Sequence, residues 1–227
     1  MKTLAAVLGG QLPRLVMFDL DGTLIDSVPD LAAATDKMLV QLGRTPAGMD
    51  KVRNWVGNGA PVLVRRALAD SFEHQAITAE QEAEGLAIFM QVYGTGESLT
   101  TLYPGALDTL KSLQLLGIKI ALITNKPEKF IPPLLAETGM AEFFQWIVGG
   151  DTFAQKKPDP SGLLWVMQQA AVSAEQCIFV GDSRNDVQAA KAANVACVAV
   201  TYGYNYGEPI SADNPALVVD DLRELFI

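Results

Sequence analysis

The chain reads as an α/β protein, a parallel sheet with helices on both faces and a block of further helices set over one edge of it. Three observations predict this. Six short apolar runs alternate with amphipathic segments, the pattern of successive βαβ units. Residues 28 to 100 break the alternation with helix-like periodicity and no convincing strand. Several apolar runs end in acidic, hydroxyl or amide groups, and open α/β sheets place their ligands at the carboxyl ends of their strands.

In chain order, the first strand is Leu15 to Phe18, closed by Asp19-Leu20-Asp21-Gly22-Thr23-Leu24. Residues i and i+2 of an extended backbone share a face, so Asp19 and Asp21 are expected side by side at the strand end. Two carboxylates in one small site repel unless a cation or a shared proton separates them, which suggests a hard metal and a division of labour. Gly22 suits a tight turn behind them. A calcium loop of the EF-hand kind fails on spacing, because Leu24 and Asp30 stand where Gly and Glu are needed. Asp26 or Ser27 can cap the next helix, which has Pro29 near its start.

The helix-like segments Leu31 to Leu42, Pro61 to Ala69 and Thr78 to Tyr93 then form the strand-free block, and Tyr103-Pro104-Gly105 marks the return to the sheet. A helix over Gly105 to Leu116 leads to a strand over Ile118 to Thr124. That strand runs into Thr124-Asn125-Lys126-Pro127, a hydroxyl and an amide at a strand end that would serve equally as ordinary turn residues. A helix over Glu128 to Thr138 and a strand over Trp146 to Val148 follow. Lys156-Lys157-Pro158-Asp159-Pro160 places cations just before a helix over Pro160 to Ala171, a pattern also common in solvated turns. The strand Cys177 to Val180 ends in Gly181-Asp182, with Asp186 in the first turn of a helix over Arg184 to Ala193. Asp186 there either faces back toward the strand end or acts as a capping acid. Strands over Val195 to Val200 and Ala216 to Val219 complete the series, and no internal repeat or low-complexity tract interrupts it.

Composition narrows the partners. With 227 residues and 49% hydrophobic side chains, the chain can fill a sizeable interior. Its 26 acidic against 17 basic residues give a net charge of -9, which disfavours nucleic acid and anionic membrane. A small anionic substrate remains open if a metal and one or two lysines reverse the sign locally. Cys177 and Cys197 sit in apolar runs, as buried reduced thiols do. No apolar stretch approaches the roughly 20 residues of a membrane span. The first strand starts so early that little room is left for a cleavable signal, and the chain is expected in the cytoplasm.

Four of these signals stand in one order: Asp19-x-Asp21-Gly22-Thr23, Thr124-Asn125, Lys157-Pro158 and Gly181-Asp182-x-x-x-Asp186. Together they resemble the four ordered motifs of the haloacid dehalogenase superfamily, over nearly the whole chain. The resemblance implies a Rossmann-like core formed by residues 1–27 and 101–227, with residues 28–100 inserted as a helical cap of the first type (C1). More narrowly, Asp19 to Leu31, Trp55-Val56-Gly57-Asn58-Gly59-Ala60, Thr124 to Pro127 and Gly181 to Asp186 are similar to the branch that hydrolyses 2-phosphoglycolate to glycolate and phosphate.

The resemblance also implies roles. Asp19 would attack phosphorus and form an aspartyl-phosphate, while Asp21 would protonate the leaving alkoxide and later take a proton from water. Mg2+ would be held by the Asp19 carboxylate, the Asp21 main-chain carbonyl and Asp182. Thr124 and Lys157 would hold the other phosphoryl oxygens, beside Asn125, and Asp186 would support Lys157 or the metal's waters. In the cap, Gly57 and Gly59 would let backbone amides approach a small carboxylate, and Arg53, Arg65 and Arg66 are cations available nearby or simply a solvated helix face. His74, the only histidine, is expected at the surface. The expected partner is a small phosphorylated metabolite, and the expected assembly a monomer or small homo-oligomer. A β-phosphoglucomutase-like phosphotransferase, another phosphatase of the family, and a metal-binding module without turnover are the alternatives.

Overall fold

In the computed structural model, which describes residues 2–95 and 98–226, the chain forms helices and strands in a regular order. Met1, Gly96, Glu97 and Ile227, which fall within the two expected spans, lie outside the described residues. The elements are α1 (Lys2–Val7), β1 (Leu15–Phe18), β2 (Ile25–Asp26), α2 (Val28–Gln41), α3 (Met49–Trp55), α4 (Ala60–Ala69), α5 (Ala79–Tyr93) and β3 (Thr101–Leu102). They continue with α6 (Ala106–Leu115), β4 (Lys119–Ile123), α7 (Ile131–Glu137), β5 (Trp146–Val148), α8 (Ser161–Ala170), β6 (Cys177–Gly181), α9 (Arg184–Ala192), β7 (Ala196–Val200) and β8 (Leu217–Val219).

Six strands form one parallel sheet in the order β5-β4-β1-β6-β7-β8. All six were legible in the sequence as apolar runs. Strict alternation divides β1 between two cores: Val16 and Phe18 pack with Leu110, Leu113 and Leu135 on one face, and Leu15 and Met17 with Leu163, Val166 and Val187 on the other. Burial on both faces explains why these strands are continuous hydrophobic runs. Cys177 and Cys197 are buried, unpaired thiols of the second core.

Register levels the strand ends that matter. Phe18 lies opposite Leu122 of β4 and Val180 of β6, so the residues that follow these three strands emerge together. The Asp19 amide donates to the Val180 carbonyl at 2.9 Å, continuing the ladder one residue further.

Helices α2 to α5 share a third apolar core, built on Met38, Leu39, Trp55, Leu63, Val64 and Phe89, which also takes in Tyr204. The chain passes between this unit and the sheet through a two-stranded antiparallel ribbon, with Ile25 opposite Leu102 and Asp26 opposite Thr101. The ribbon, α1 and α3 were not anticipated, because two to seven residues are too few to show a period. The expected helix over Glu128 to Thr138 is divided: Glu128–Phe130 forms a 3-10 turn and α7 begins at Ile131. Pro132 and Pro133 lack the N–H groups that would bond back to the preceding turn, so they are tolerated only in a first helical turn. At the start of α2, Ser27 makes no side-chain cap, and Asp26 Oδ1 accepts from the Val28 amide at 3.2 Å instead. Among the described residues no helix is long and apolar enough to cross a membrane.

Candidate active site

Strand pairing stops at the Asp19 amide, and the next residues fold into a tight loop. The Leu20 carbonyl accepts from the amides of Thr23, Leu24 and Ile25, and the Gly22 amide returns to the Ile25 carbonyl at 2.8 Å. Gly22 holds a φ of 93°, which glycine adopts without strain, and a Cβ there would collide with the Asp182 carboxylate. Beyond the last paired residue the alternation rule lapses. Asp19 and Asp21 line the same cavity, as expected of a pair at the strand end, but take different partners.

Asp19 belongs to a buried cluster with Asp182 and Asp186, whose ligand atoms lie within 4.8 Å of one another. Lys157 bridges two of them, its ammonium 2.7 Å from Asp19 Oδ1 and 2.7 Å from Asp186 Oδ1. The second oxygen of Asp186 accepts from Ser183 Oγ at 2.7 Å and from the amides of Ser183 and Asp182. Asp186 thus both closes a capping box on α9 and anchors Lys157. Asp182 accepts from Thr23 Oγ1 at 2.6 Å and from the Tyr204 amide at 2.7 Å. A Cβ at Gly181 would strike Asp186, and one at Gly203 would strike Asp182, so glycines clear the space around both carboxylates.

Three carboxylates against one ammonium leave this cluster short of positive charge. Burial pushes the Asp19 carboxyl up, Lys157 opposes it and Asp186 adds to it, for a pKa of about 7. Burial, then Asp186 and Asp19, likewise raise Asp182. Burial pulls Lys157 down, yet Asp186 and Asp19 outweigh it and hold its proton more tightly than usual. Asp19 Oδ1 is buried, with the Lys157 ammonium at 2.7 Å as its charge partner. Oxygen donors and missing positive charge are what a hard dication such as Mg2+ requires.

Asp21 faces a second cation. Lys126 Nζ lies 3.0 Å from Asp21 Oδ1 and donates to the Tyr93 hydroxyl of α5. Burial lowers the ammonium's affinity for its proton, but Asp21 and Tyr93 more than restore it. Thr124 is buried in the cavity wall, where its hydroxyl accepts from the Lys126 amide at 3.2 Å. Asn125 ties loops together, its amide donating to the carbonyls of Gly57 and Lys157 at 2.9 Å each, while its buried Oδ1 has no hydrogen-bond partner.

The cavity, of about 60 Å³ free volume, has Asp19, Asp21, Thr124, Asn125 and Lys126 on its sheet side. Leu31, Val56, Leu63, Phe89, Tyr93 and Phe130 form most of the opposite wall, together with Gly57 and Gly59. Gly57 has a φ of 118°, and a Cβ there would meet the Tyr206 hydroxyl at 2.8 Å. Its carbonyl accepts from Asn125 and Asn185, so the loop is fastened to the sheet domain through Gly57.

The three arginines named from sequence do not line the cavity. Arg53 lies 3.5 Å from Asp26 and over the Tyr204 ring, which removes it from the substrate-binding set expected above. Arg65 is spent on Glu82, His74 and the Ile77 carbonyl, and Arg66 on the Trp55 carbonyl and Asn58. A long cation finds local carbonyls and acids before it reaches a distant cavity. His74 accepts from Arg65 at 3.0 Å and is half-buried, where the sequence reading had placed it at the surface. Lys126, Tyr93, Phe89 and Phe130 are among the cavity residues that sequence reasoning missed. Only Lys126 had a visible signal, its place directly after Thr124-Asn125.

Comparison with known proteins agrees with this geometry. The family model described as haloacid dehalogenase-like hydrolase matches residues 16–200. The chain is 62% identical over 216 residues to a protein named phosphoglycolate phosphatase from Pseudomonas savastanoi pv. phaseolicola, covering 95% of this chain and 79% of that one. A protein of the same name from Pseudomonas putida matches with the same identity and coverage. Among solved structures, a predicted phosphoglycolate phosphatase from Haemophilus somnus 129PT superposes with a TM-score of 0.88 at 35% identity, over 93% of this chain and 96% of that one.

Proposed function

We propose, from the premise that this chain belongs to the haloacid dehalogenase-like hydrolases, that it is a phosphatase hydrolysing 2-phosphoglycolate to glycolate and phosphate. The observation that carries the reaction is the buried Asp19 carboxylate, held against Lys157 at the end of β1 with Asp182 and Asp186 around it.

Asp19 is the nucleophile. Its free oxygen forms a bond to phosphorus while the bond from phosphorus to the ester oxygen breaks, leaving an aspartyl-phosphate. Asp21 gives its proton to the departing alkoxide and takes one from the water that then attacks phosphorus, which frees phosphate and restores Asp19. Lys157 and Thr124 bind phosphoryl oxygens, where charge accumulates in the transition state. Asn125 holds the loop that presents them, and Asp186 positions Lys157. Asp19, Asp182 and the Asp21 main-chain carbonyl would hold Mg2+. When bound, the dication supplies the positive charge the cluster lacks, which ionises Asp19 and screens it from a phosphate dianion.

Residues 28–100 act as a cap whose apolar wall excludes water from the cavity. That wall offers few partners to the hydroxyls of a sugar phosphate, which supports a two-carbon substrate over the phosphoglucomutase-like alternative. An intact nucleophile, acid and lysine argue against a module without turnover. The protein acts in the cytoplasm as a monomer or small homo-oligomer. The test is to incubate the purified protein with Mg2+ and 2-phosphoglycolate or a hexose phosphate and to follow phosphate and glycolate by NMR. Glycolate formation is expected, and phosphate release from the hexose phosphate alone would overturn the substrate assignment.

A further inference from the structure

Lys126 and Tyr93 are cavity residues that the reaction above leaves unused. An ammonium has three N–H donors. Lys126 directs one to Asp21 Oδ1 at 3.0 Å and one to the Tyr93 hydroxyl at 2.5 Å. Because Tyr93 accepts there, its own O–H remains to be given. Among the described residues, no hydrogen bond engages that proton, and beyond these two the Lys126 ammonium makes only a long contact, 3.5 Å, to the second oxygen of the same Asp21 carboxylate. Both side chains line the cavity, Lys126 from its sheet side and Tyr93 among the apolar side chains of Leu31, Val56, Leu63, Phe89 and Phe130. Tyr93 is fixed in place, stacked on Phe89 at 5.6 Å and edge-on to Phe130 at 5.0 Å.

We propose that Lys126 Nζ and the Tyr93 hydroxyl form a two-donor clamp for the carboxylate of the leaving group, and so determine specificity; this rests on the phosphoglycolate reading. Substrate geometry supplies the link. Asp21 must reach the ester oxygen that it protonates, and in 2-phosphoglycolate a single methylene separates that oxygen from the carboxylate carbon. A cation 3.0 Å from Asp21 is therefore within reach of that carboxylate and of little else on so short a molecule. The cap arginines cannot serve, since Arg53, Arg65 and Arg66 are engaged elsewhere and do not line the cavity. A neutral leaving group would leave the ammonium and the hydroxyl facing it without an acceptor, which is how a polar site rejects an analogue. Tyr93 belongs to the cap and Lys126 to the sheet domain, so a carboxylate held between them also fastens the closed cap.

The experiment measures kcat/KM for 2-phosphoglycolate and for 2-hydroxyethyl phosphate in wild type, Tyr93→Phe and Lys126→Met. The ratio of the two values is the readout, because lost folding or a disturbed Asp21 lowers both esters alike and cancels. That ratio is expected to fall about tenfold in Tyr93→Phe, mainly through KM, and about a hundredfold in Lys126→Met. An unchanged ratio in both variants, with wild type still preferring 2-phosphoglycolate, would overturn the clamp and leave the substrate reading standing. A wild type without preference would instead overturn the substrate reading, and the clamp with it.

Discussion

The two walls of the cavity are built on opposite principles. On the sheet side, the wall residue Asp19 is backed by Asp182, Asp186 and Lys157, all almost fully buried, and nearly every one of their charged atoms is engaged by another charge, an amide or a hydroxyl. On the cap side, Leu31, Val56, Leu63 and Phe89 present only carbon. A polar floor with fixed partners suits charge stabilisation, since its dipoles need no reorganisation when charge moves. An apolar roof suits selection by volume and exclusion of water. The contrast teaches that floor substitutions should act on the chemical step and roof substitutions on binding.

The sharpest test of the floor is Asp19→Asn. An amide oxygen is too poor a nucleophile for phosphorus, so steady-state phosphate release should drop by about 10⁴-fold or more, with no aspartyl-phosphate trapped. Substantial turnover would break the covalent assignment.

Next in size is the contrast between neighbouring lysines. Lys157→Ala removes a buried donor to the transferring group and should cost about 10²–10³ in kcat, the scale of one lost oxyanion donor. Lys156 is only half-buried, and its ammonium lies beside Gly59 rather than against Asp19, so Lys156→Ala should change kcat by less than about threefold. Equal losses would erase the distinction between these two positions.

For the roof, Gly57→Val puts a branched side chain at a φ of 118° and against the Tyr206 hydroxyl. It should shift the loop that Asn125 and Asn185 hold, raising KM for 2-phosphoglycolate about tenfold while moving kcat less. A larger effect on kcat than on KM would mean that roof and floor are not separable.

The smallest effect concerns pH and stability without catalysis. The folded-state pKa of Asp19 is raised, to about 7 from an ordinary carboxyl value, so the folded protein binds the extra proton between those limits. That contribution is fully present below about pH 4 and is lost as pH rises through about 7. In chelator, thermal melts should therefore place wild type near Asp19→Asn at pH 5 and several degrees below it at pH 8, with Mg2+ narrowing the gap. A difference independent of pH would contradict the desolvated, under-neutralised cluster.

Sequence reading reached the floor much further than the roof. Asp19, Asp182 and Lys157 sit at strand ends or before a proline-started helix, where local patterning announces a position even before its partners are known. Asp186 was legible for the same reason, as an acid in a first helical turn. The roof had no such grammar. Phe89, Tyr93 and Leu63 read as ordinary apolar positions of amphipathic helices, and whether such a residue faces its own core or a cavity depends on how helices pack. Arg53 shows the converse error: a cation close to the right loop in sequence was assigned to substrate, and Asp26 and Tyr204 claim it.

By itself the sequence determined the sheet, its two buried faces and the order of the motifs, because periodicity, turn chemistry and motif spacing are local properties that a linear pattern carries; the reaction type followed from the family those motifs resemble. Only the tertiary structure decided that Asp21 meets Lys126, that Tyr93 reaches from the cap to that lysine, and that Gly22 and Gly203 clear Asp182. Those are contacts between groups tens to more than a hundred residues apart, set by helix packing and loop closure, and no local spacing encodes them.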